Sequence, residues 1–370
     1  MTQSVVFIVS SVTGNQLTRA YPFASLLRKS GRRVKVIGPG RQNSEIYIQD
    51  PDLEIYRMPT MSLRDRVNWI RDQISDFDIV CVCKPCWEGT IAAVLAKHSG
   101  KKLVYDIDDD DLRTWFFDLR KDAARVGLLR SLRNLPNGLI IYMNFSLRVL
   151  ADRVLVASEF LRGEFGGEIL YVPVDASDFH PTVIPGNQII MYAGAIRAHK
   201  GIEALIDAFS IVRQKLTESS LFLVGPVEKN SLTWKMIQKK IAGIPGIRLP
   251  GKQPIQSIPE WLSKADCLVI PSPDNPIHRA QSPVKLMYYM AAGRPIVATP
   301  VGEVTKILEH GRTGLIAANG DPVRLAELIV EVMTSPQLSN SIARIAREEF
   351  LTKFSSEAVL NRISELYTIG

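Results

Sequence analysis

The feature that most constrains this chain is an alternation of short β-branched apolar runs with amphipathic stretches, and the alternation restarts halfway along. The first series contains the runs "SVVFIVSS", "RVKVIGPG", "DIVCVC", "KLVYDID" and "DRVLVAS", with helical patterns such as "LTRAYPFASLLRKSG" and "TIAAVLAKHSG" between them. The second series contains "QIIMYAGA", "SLFLVGP", "GIRLPG", "ADCLVIPS", "RPIVATP" and "TGLIAA", with a helix over "GIEALIDAFSIVRQKL". Strands of this kind, separated by helices, form parallel sheets covered on both faces. A chain of 370 residues also exceeds one ordinary core. Two doubly wound α/β domains are therefore expected, over residues 1–180 and 181–350, with the turn-rich "VDASDFHPTVIPGN" as linker and 351–370 as a C-terminal helix. In such sheets ligands bind beyond the carboxyl ends of the strands, so the loops there, facing a cleft between the sheets, are where chemistry is sought.

Composition narrows the classes. Apolar residues make up 46% and charged residues 22%, which excludes disordered and fibrous chains. No apolar run approaches a membrane span, and "VVFIV" is too short and lacks the basic flank of a secretory signal. A cytoplasmic protein is expected. The net charge of +7 favours anionic partners. Nucleic acid is not expected among them, because no recognition motif or aromatic-basic platform for bases is present. Cys81, Cys83 and Cys86 stand close together, but "DIVCVCKP" reads as a buried strand and no second Cys/His pair completes a tetrahedral site.

Four loops stand out. After the first strand, Gly14 in "SSVTGNQ" permits close backbone approach, although the stretch is neither a dinucleotide fingerprint nor a P-loop. In "GAIRAHKG", residues 194–201, Arg197 and Lys200 precede a helix, and together with its N-terminus they form a potential anion site; solvated surface charges are the plainer alternative. The third loop, "PSPDNPIHRAQSPVKL", leads into a helix with Ser282 as N-cap, Pro283 at the first position and Gly293 as its stop. Lys285 then lies in the first turn, where the helix dipole disfavours a cation by about 0.3–1 kcal/mol. A bound diphosphate would reverse that objection; the alternative is that Lys285 snorkels away from the helix end into water. The fourth loop is "YDIDDDDL", with five aspartates at 106 and 108–111. It lacks the glycine and glutamate of an EF-hand, so no metal site is expected there. Asp108 alone is a candidate for a catalytic or substrate-binding carboxylate.

The second half resembles the nucleotide-binding domain of family 4-like glycosyltransferases of the GT-B fold. The resemblance is carried by "YAGAIRAHKGIEALIDAF", "LFLVGP", "IPEWLSKADCLVIPS", "SPVKLMYYMAAGRPIVATPVGE" and "EHGRTGLIA". The first half is similar through "RAYPFASLLRKSGRRVKVIG", "KLVYDIDD" and "ADRVLVASEFL", and "FSSEAVLNRISELY" resembles the family's last helix, which returns to the first domain. The resemblance implies transfer of a sugar, with retention of anomeric configuration, from a nucleotide donor held mainly on the second domain, most often a uridine diphosphate. It places the family's phosphate-binding lysine on Lys200. The matching arginine position falls on Ala195, next to Gly194, so that Arg197 has to substitute from two residues further on. It places the helix-start amides on Ser282, Pro283 (which has no N–H), Val284 and Lys285, and nucleobase contacts on Gly251 and Lys252. The family's paired glutamates fall on Ala280 and Tyr288, neither of them acidic. Tyr288 then offers one hydroxyl to the ribose and Gln281 a substitute sugar contact. The family's histidine after the fourth strand falls on Asp108.

The expected activity is thus a metal-independent retaining glycosyltransferase without a resident cofactor, acting on a glycan or lipid-linked acceptor in polysaccharide biosynthesis. Arg197, Lys200 and Lys285 would neutralise the leaving diphosphate and Asp108 would serve the sugar side. The alternative is a catalytically weakened relative, acting as a binding subunit of a polysaccharide-assembly complex. Residues 113–135, "RTWFFDLRKDAARVGLLRSLRNL", interleave six basic residues with aromatic and aliphatic ones. This segment either lies on an anionic bilayer, making the protein peripheral at the inner face of the membrane, or packs as an ordinary amphipathic helix.

Overall fold

The protein is described by a computed structural model that covers residues 2–14, 16–84, 86–113, 115, 135–227, 232–282 and 284–369. All but a few residues of the basic-aromatic segment 113–135 lie outside the described residues, as does Pro283. The chain forms two compact units, one of residues 1–173 with 359–370 and the other of 174–358.

Unit 1 is built on a seven-stranded sheet of order β3-β2-β1-β4-β5-β6-β7. Its strands are β1 (Val5–Val9), β2 (Val34–Gly38), β3 (Glu54–Arg57), β4 (Ile79–Cys83), β5 (Lys102–Ile107), β6 (Arg153–Val156) and β7 (Glu168–Ile169). Every pairing is parallel. Every residue of β1 and β4 is buried, which is why these strands are continuous apolar runs rather than alternating ones. Cys81 and Cys83 are free and buried within β4. The edge strand β3 has the pattern exposed, half-buried, exposed, half-buried, and its polar "EIYR" gave no strand signal in the sequence.

Unit 2 has six parallel strands in the order β10-β9-β8-β11-β12-β13. These are β8 (Ile189–Ala193), β9 (Ser220–Val224), β10 (Ile247–Gly251), β11 (Cys267–Ile270), β12 (Ile296–Ala298) and β13 (Leu315–Ile316). Helices Ile202–Lys215 and Pro322–Thr334 pack on one another and on this sheet through a core that includes Leu205, Phe209, Leu325 and Ile329, all fully buried. The chain order thus places two doubly wound sheets in succession, as the repeated alternation predicts.

The unit boundaries fall at 173/174 and 358/359 rather than at 180/181 and 350/351. Contacts explain the shift. Val174 bridges to Ser355, Phe179 meets the ring of Tyr288 edge-on at 5.6 Å, and Arg347 donates to the Ala291 carbonyl, all within unit 2. The chain end packs in unit 1 instead. Tyr367 is fully buried with its ring 5.6 Å from that of Phe7, and Arg32 donates to the Tyr367 carbonyl at 2.6 Å.

A buried ion pair ties the first helix of unit 1, Leu17–Lys29, to β5. Arg19 Nε lies 3.1 and 3.0 Å from the Asp106 oxygens, Nη2 lies 2.5 Å from Oδ1, and Nη1 donates to the Leu170 carbonyl. Removing one partner leaves a buried charge unmatched, whereas an apolar replacement of both does not. Asp106→Ala is therefore expected to destabilise unit 1 by about 3–5 kcal/mol, and Arg19→Met/Asp106→Leu to recover most of that loss. Urea unfolding followed by circular dichroism checks both.

Candidate functional site

In unit 2 the carboxyl ends of β8 and β11 lead into the two basic loops, and backbone contacts lock them together. Helix Ile202–Lys215 starts from Gly201, whose φ is +72°, and a Cβ there would lie 1.7 Å from the Pro271 carbonyl oxygen after β11. Only glycine allows that approach. Helix Val284–Ala291 is fastened to the end of β8 by Tyr289, whose hydroxyl accepts the Ala193 N–H at 2.8 Å. The helix stops as the sequence predicts, with Gly293 at φ +60° just beyond it.

These constraints bring Lys285 onto Tyr192. The ammonium sits 4.0 Å from the centre of the Tyr192 ring and donates to its hydroxyl at 2.9 Å, while that hydroxyl donates to the Ala195 carbonyl. A Cβ on Gly194 would meet Lys285 Nζ at 3.0 Å and the Tyr192 hydroxyl at 3.1 Å, so the glycine leaves room for the pair. Among the described residues no carboxylate forms an ion pair with Lys285. Burial, and after it the charge of Lys200, push the Lys285 ammonium down to about 7. Lys200 Nζ in turn donates to Gln281 Oε1 at 3.2 Å, joining the loop after β8 to the loop after β11.

His278 completes the cluster. It is only 5% exposed, and its ring lies 5.8 Å from that of His199. Burial first, then Lys200, His199 and Lys285, push it down to about 4. Its Nδ1 lies 3.2 Å from the Pro273 carbonyl oxygen, whereas its buried Nε2 has no hydrogen-bond partner among the described residues. Two lysines and two histidines thus converge where a helix N-terminus already supplies positive potential, which is the chemistry of an anion site. Arg197 is exposed at the head of the turn 198–200, and its charge opposes the upward push that burial and Tyr289 exert on the Tyr192 phenol.

The structure thus gathers Gly194, Lys200, Gln281 and Lys285, with the half-buried Ser282 and Val284 beside them in the chain. It separates others. Gly251, at φ +80°, ends the edge strand β10 two strands from β8, and the exposed Lys252 follows it. Tyr288 faces Phe179, and burial followed by Asp178 pushes its phenol up to about 12. Ala280 is buried at 1% exposure and contributes nothing polar from its side chain. Tyr192, Tyr289 and His278 are parts of the site that sequence reasoning passed over. The only prior signal was the position of Tyr192 one residue before the end of a strand that runs into Gly194.

Asp108 and Gly14 belong to unit 1. Gly14 follows β1, and a Cβ there would crowd Gln16 Oε1 at 2.3 Å. Asp108 follows β5 and forms an ion pair with Lys84 Nζ at 3.1 Å, while Asp109 accepts a hydrogen bond from it at 2.6 Å. Lys84 itself has φ +66°, an uncommon conformation for a residue with a side chain. Burial raises Asp108 to about 6 against the pull of Lys84, and burial raises Asp111 to about 7. These carboxyls sit in the range suited to proton exchange near neutrality. Among the described residues no group of three or more His, Cys, Asp or Glu is placed to hold a metal ion, and no helix is long and apolar enough to cross a membrane.

Residues 187–335 match the family model described as Glycosyl transferases group 1. A curated relative, N-acetyl-alpha-D-glucosaminyl L-malate synthase of Bacillus anthracis, is 22% identical over 180 residues, covering 49% of this chain and 45% of that protein. The chain therefore spans less than half the length of this relative. Two solved structures resemble nearly all of the chain. Anabaena HepE, crystallised with UDP and glucose, has a TM-score of 0.75 at 16% identity over 98% of both chains. Sucrose-phosphate synthase from Thermosynechococcus elongatus has a TM-score of 0.72 at 16% identity, covering 99% of this chain and 98% of that one. The fold is GT-B.

The depressed Lys285 has a consequence for stability. Its pKa is about 7 in the folded chain against 10.5 as its ordinary value, so between these the unfolded state holds the extra proton and stability rises with pH. Lys285→Met is expected to raise the unfolding midpoint at pH 7, with the gain shrinking toward pH 10. Thermal unfolding at both pH values checks it.

Proposed function

We propose, from the premise that residues 187–335 of this chain are a Glycosyl transferases group 1 domain in a GT-B fold, that the protein transfers a sugar from a nucleoside diphosphate donor with retention of configuration. The observation that supports this most is the pair Lys200 and Lys285, brought to one loop cluster by Gln281 and Tyr192. A diphosphate accounts for a half-buried cation whose described partners are a phenol hydroxyl and its ring. UDP is the favoured carrier, consistent with the UDP bound in the HepE structure.

In this reading the β8 loop, with Gly194, Arg197 and Lys200, and the stretch Gln281–Lys285 hold the diphosphate, and Gly251 and Lys252 serve the base. Departure of the sugar concentrates negative charge on the leaving phosphate. Lys200, Lys285 and Arg197 stabilise that charge where it develops, a preorganised contribution that usually dominates such catalysis. The attacking hydroxyl arrives on the face the diphosphate leaves, and its proton passes to the departing phosphate oxygen. Asp108 is assigned to a sugar hydroxyl. The acceptor is read as a glycan or lipid-linked sugar in polysaccharide assembly. Contact of the protein with an anionic membrane surface would involve 113–135.

One observation favours a second reading. Ala280 is buried and Tyr288 is turned to Phe179, so the two positions where the family resemblance expects glutamates contribute no carboxylate to the donor. A catalytically weakened partner subunit that still binds nucleotide is the outcome if transfer fails. Calorimetric titration with UDP, with GDP and ADP as controls, tests the site first. Binding of UDP that weakens about tenfold or more in Lys285→Ala or Lys200→Ala is expected, as for loss of a charge-assisted contact. Turnover of UDP-sugars, lost in both variants, then separates enzyme from binding subunit. Undiminished turnover in both variants would refute the mechanism.

A further inference from the structure

The most telling unexplained group in either unit is His278. It is only 5% exposed, yet among the described residues Nε2 has no hydrogen-bond partner, a costly state for a polar atom. Its other nitrogen is committed. Nδ1 lies 3.2 Å both from the Pro273 carbonyl oxygen, which can only accept, and from Asn275 Nδ2. Asn275 Oδ1 meanwhile caps the His278 N–H at 3.0 Å, so the ring is held from two sides. A proton on Nδ1 serves Pro273 and leaves Nε2 with a bare lone pair; the other tautomer accepts from Asn275 and leaves an unmatched N–H. Neither tautomer satisfies Nε2 from within the described residues.

The groups around the ring are of one sign. His199 and Lys200 come from the turn after β8, and Lys285 from helix Val284–Ala291. On its own short helix, Pro276–Ala280, Arg279 is paired with Asp274 at 2.6 Å, on the exposed side. The loop after β12 packs Gly302 against the carbonyls of His278 and Arg279, and its Glu303 is buried. The site already assigned to the donor diphosphate therefore contains a further ionisable group that the mechanism above leaves idle. Ala280, where the resemblance expects a glutamate, is too short to reach a ligand, whereas His278 is the polar side chain of that same helix turned toward the lysines' charge.

We infer that His278 is a contact residue for the diphosphate of the nucleotide-sugar donor, taking a proton from solvent as the donor binds so that Nε2–H donates to a phosphate oxygen while Nδ1–H is held by Pro273. This deepens the donor reading and rests on it. The empty site keeps the imidazole neutral, because a third positive charge beside two lysines is unfavourable. The doubly charged diphosphate reverses that balance, and both ring nitrogens then have acceptors. His278 thereby makes donor binding linked to proton uptake on the acid side of neutrality, separately from Lys285, which gains its proton closer to pH 7.

The experiment uses the full chain and UDP-glucose, whose diphosphate diester has no proton to exchange between pH 5 and 8. Histidine labelled with carbon-13 gives five ring signals, from residues 98, 180, 199, 278 and 310. The signal of His278 is assigned by its loss in His278→Gln or, should that variant not fold, by elimination with the other four substituted. The expected result is a neutral ring at pH 6 in the free protein and an imidazolium once UDP-glucose saturates it. In parallel, calorimetry at pH 6 in buffers of different ionisation enthalpy should show proton uptake that falls in His278→Gln. Affinity at that pH should fall roughly tenfold, as for loss of one charge-assisted hydrogen bond. A His278 signal that stays neutral in a saturated complex overturns the inference while leaving the donor reading intact. Failure of the wild type to bind UDP-, GDP- or ADP-glucose overturns both.

Discussion

The packing of Lys285 on Tyr192 is the interaction on which the loop end of unit 2 depends. It needs Gly194 to lack a side chain, since a Cβ would meet both partners at about 3 Å. It needs helix Val284–Ala291 to be pinned to β8, which Tyr289 does through the Ala193 N–H. It needs the loop after β11 to pass close to the start of helix Ile202–Lys215, which Gly201 alone permits. Each of these is a backbone or ring contact that leaves the ammonium its place but gives it no counter-ion. A cation over an aromatic face gains about 0.5–2 kcal/mol, rising as the pair is dehydrated, and that offsets only part of the cost of burying charge. The remainder is a standing preference for an anion.

That preference separates a binding site from a structural ion network. In unit 1 the buried Arg19 is saturated by Asp106 and the Leu170 carbonyl, and both charges are consumed in holding helix Leu17–Lys29 to the sheet. In unit 2 burial first, and then neighbouring positive charge, push Lys285 and His278 far below their ordinary pKa values, and among the described residues no carboxylate forms an ion pair with either. Natural chains keep such destabilising groups where function requires them. The same contrast recurs within unit 1. Asp106 is fixed by its bidentate partner, whereas Asp108, two residues later and shared through Lys84, is lifted to about 6. Two carboxylates of one strand end thus stand in different surroundings.

Much of this was legible in the residues. Runs such as "VVFIV" and "IVCVC" are apolar throughout because both faces of their strands are covered, and their order along the chain implies parallel sheets. The punctuation of helix Val284–Ala291 was readable because Gly293 takes a positive φ there, and Lys285 was conspicuous because its sign opposes the dipole. Strand β3 was not legible, since an edge strand with polar, half-exposed residues has no periodic apolar signal. The compact units divide a few residues away from the expected domain boundary for a related reason. "VDASDF" reads as linker by its turn formers, yet Phe179 is buried and Val174 pairs with Ser355, contacts decided by partners more than a hundred residues away.

His278 shows where sequence reasoning stops. In "PSPDNPIHRAQSPVKL" a single histidine between proline and arginine carries no signal of burial, because the helix that hides it is five residues long and its cap, Asn275, is visible only as one more polar residue. What makes it chemically significant is the coincidence of three elements: the turn after β8 that brings His199 and Lys200, the helix that brings Lys285, and the Pro273 carbonyl that engages Nδ1. The family resemblance points to Ala280 and Tyr288 as positions for acids, and neither side chain contributes a carboxylate to the lysines. Three-dimensional placement instead offers a base that gains charge when an anion arrives. A permanent carboxylate beside the diphosphate would repel it, whereas an imidazole that protonates on contact adds attraction only in the occupied state. The loss of acids and the presence of a buried histidine are thus compatible halves of one electrostatic arrangement.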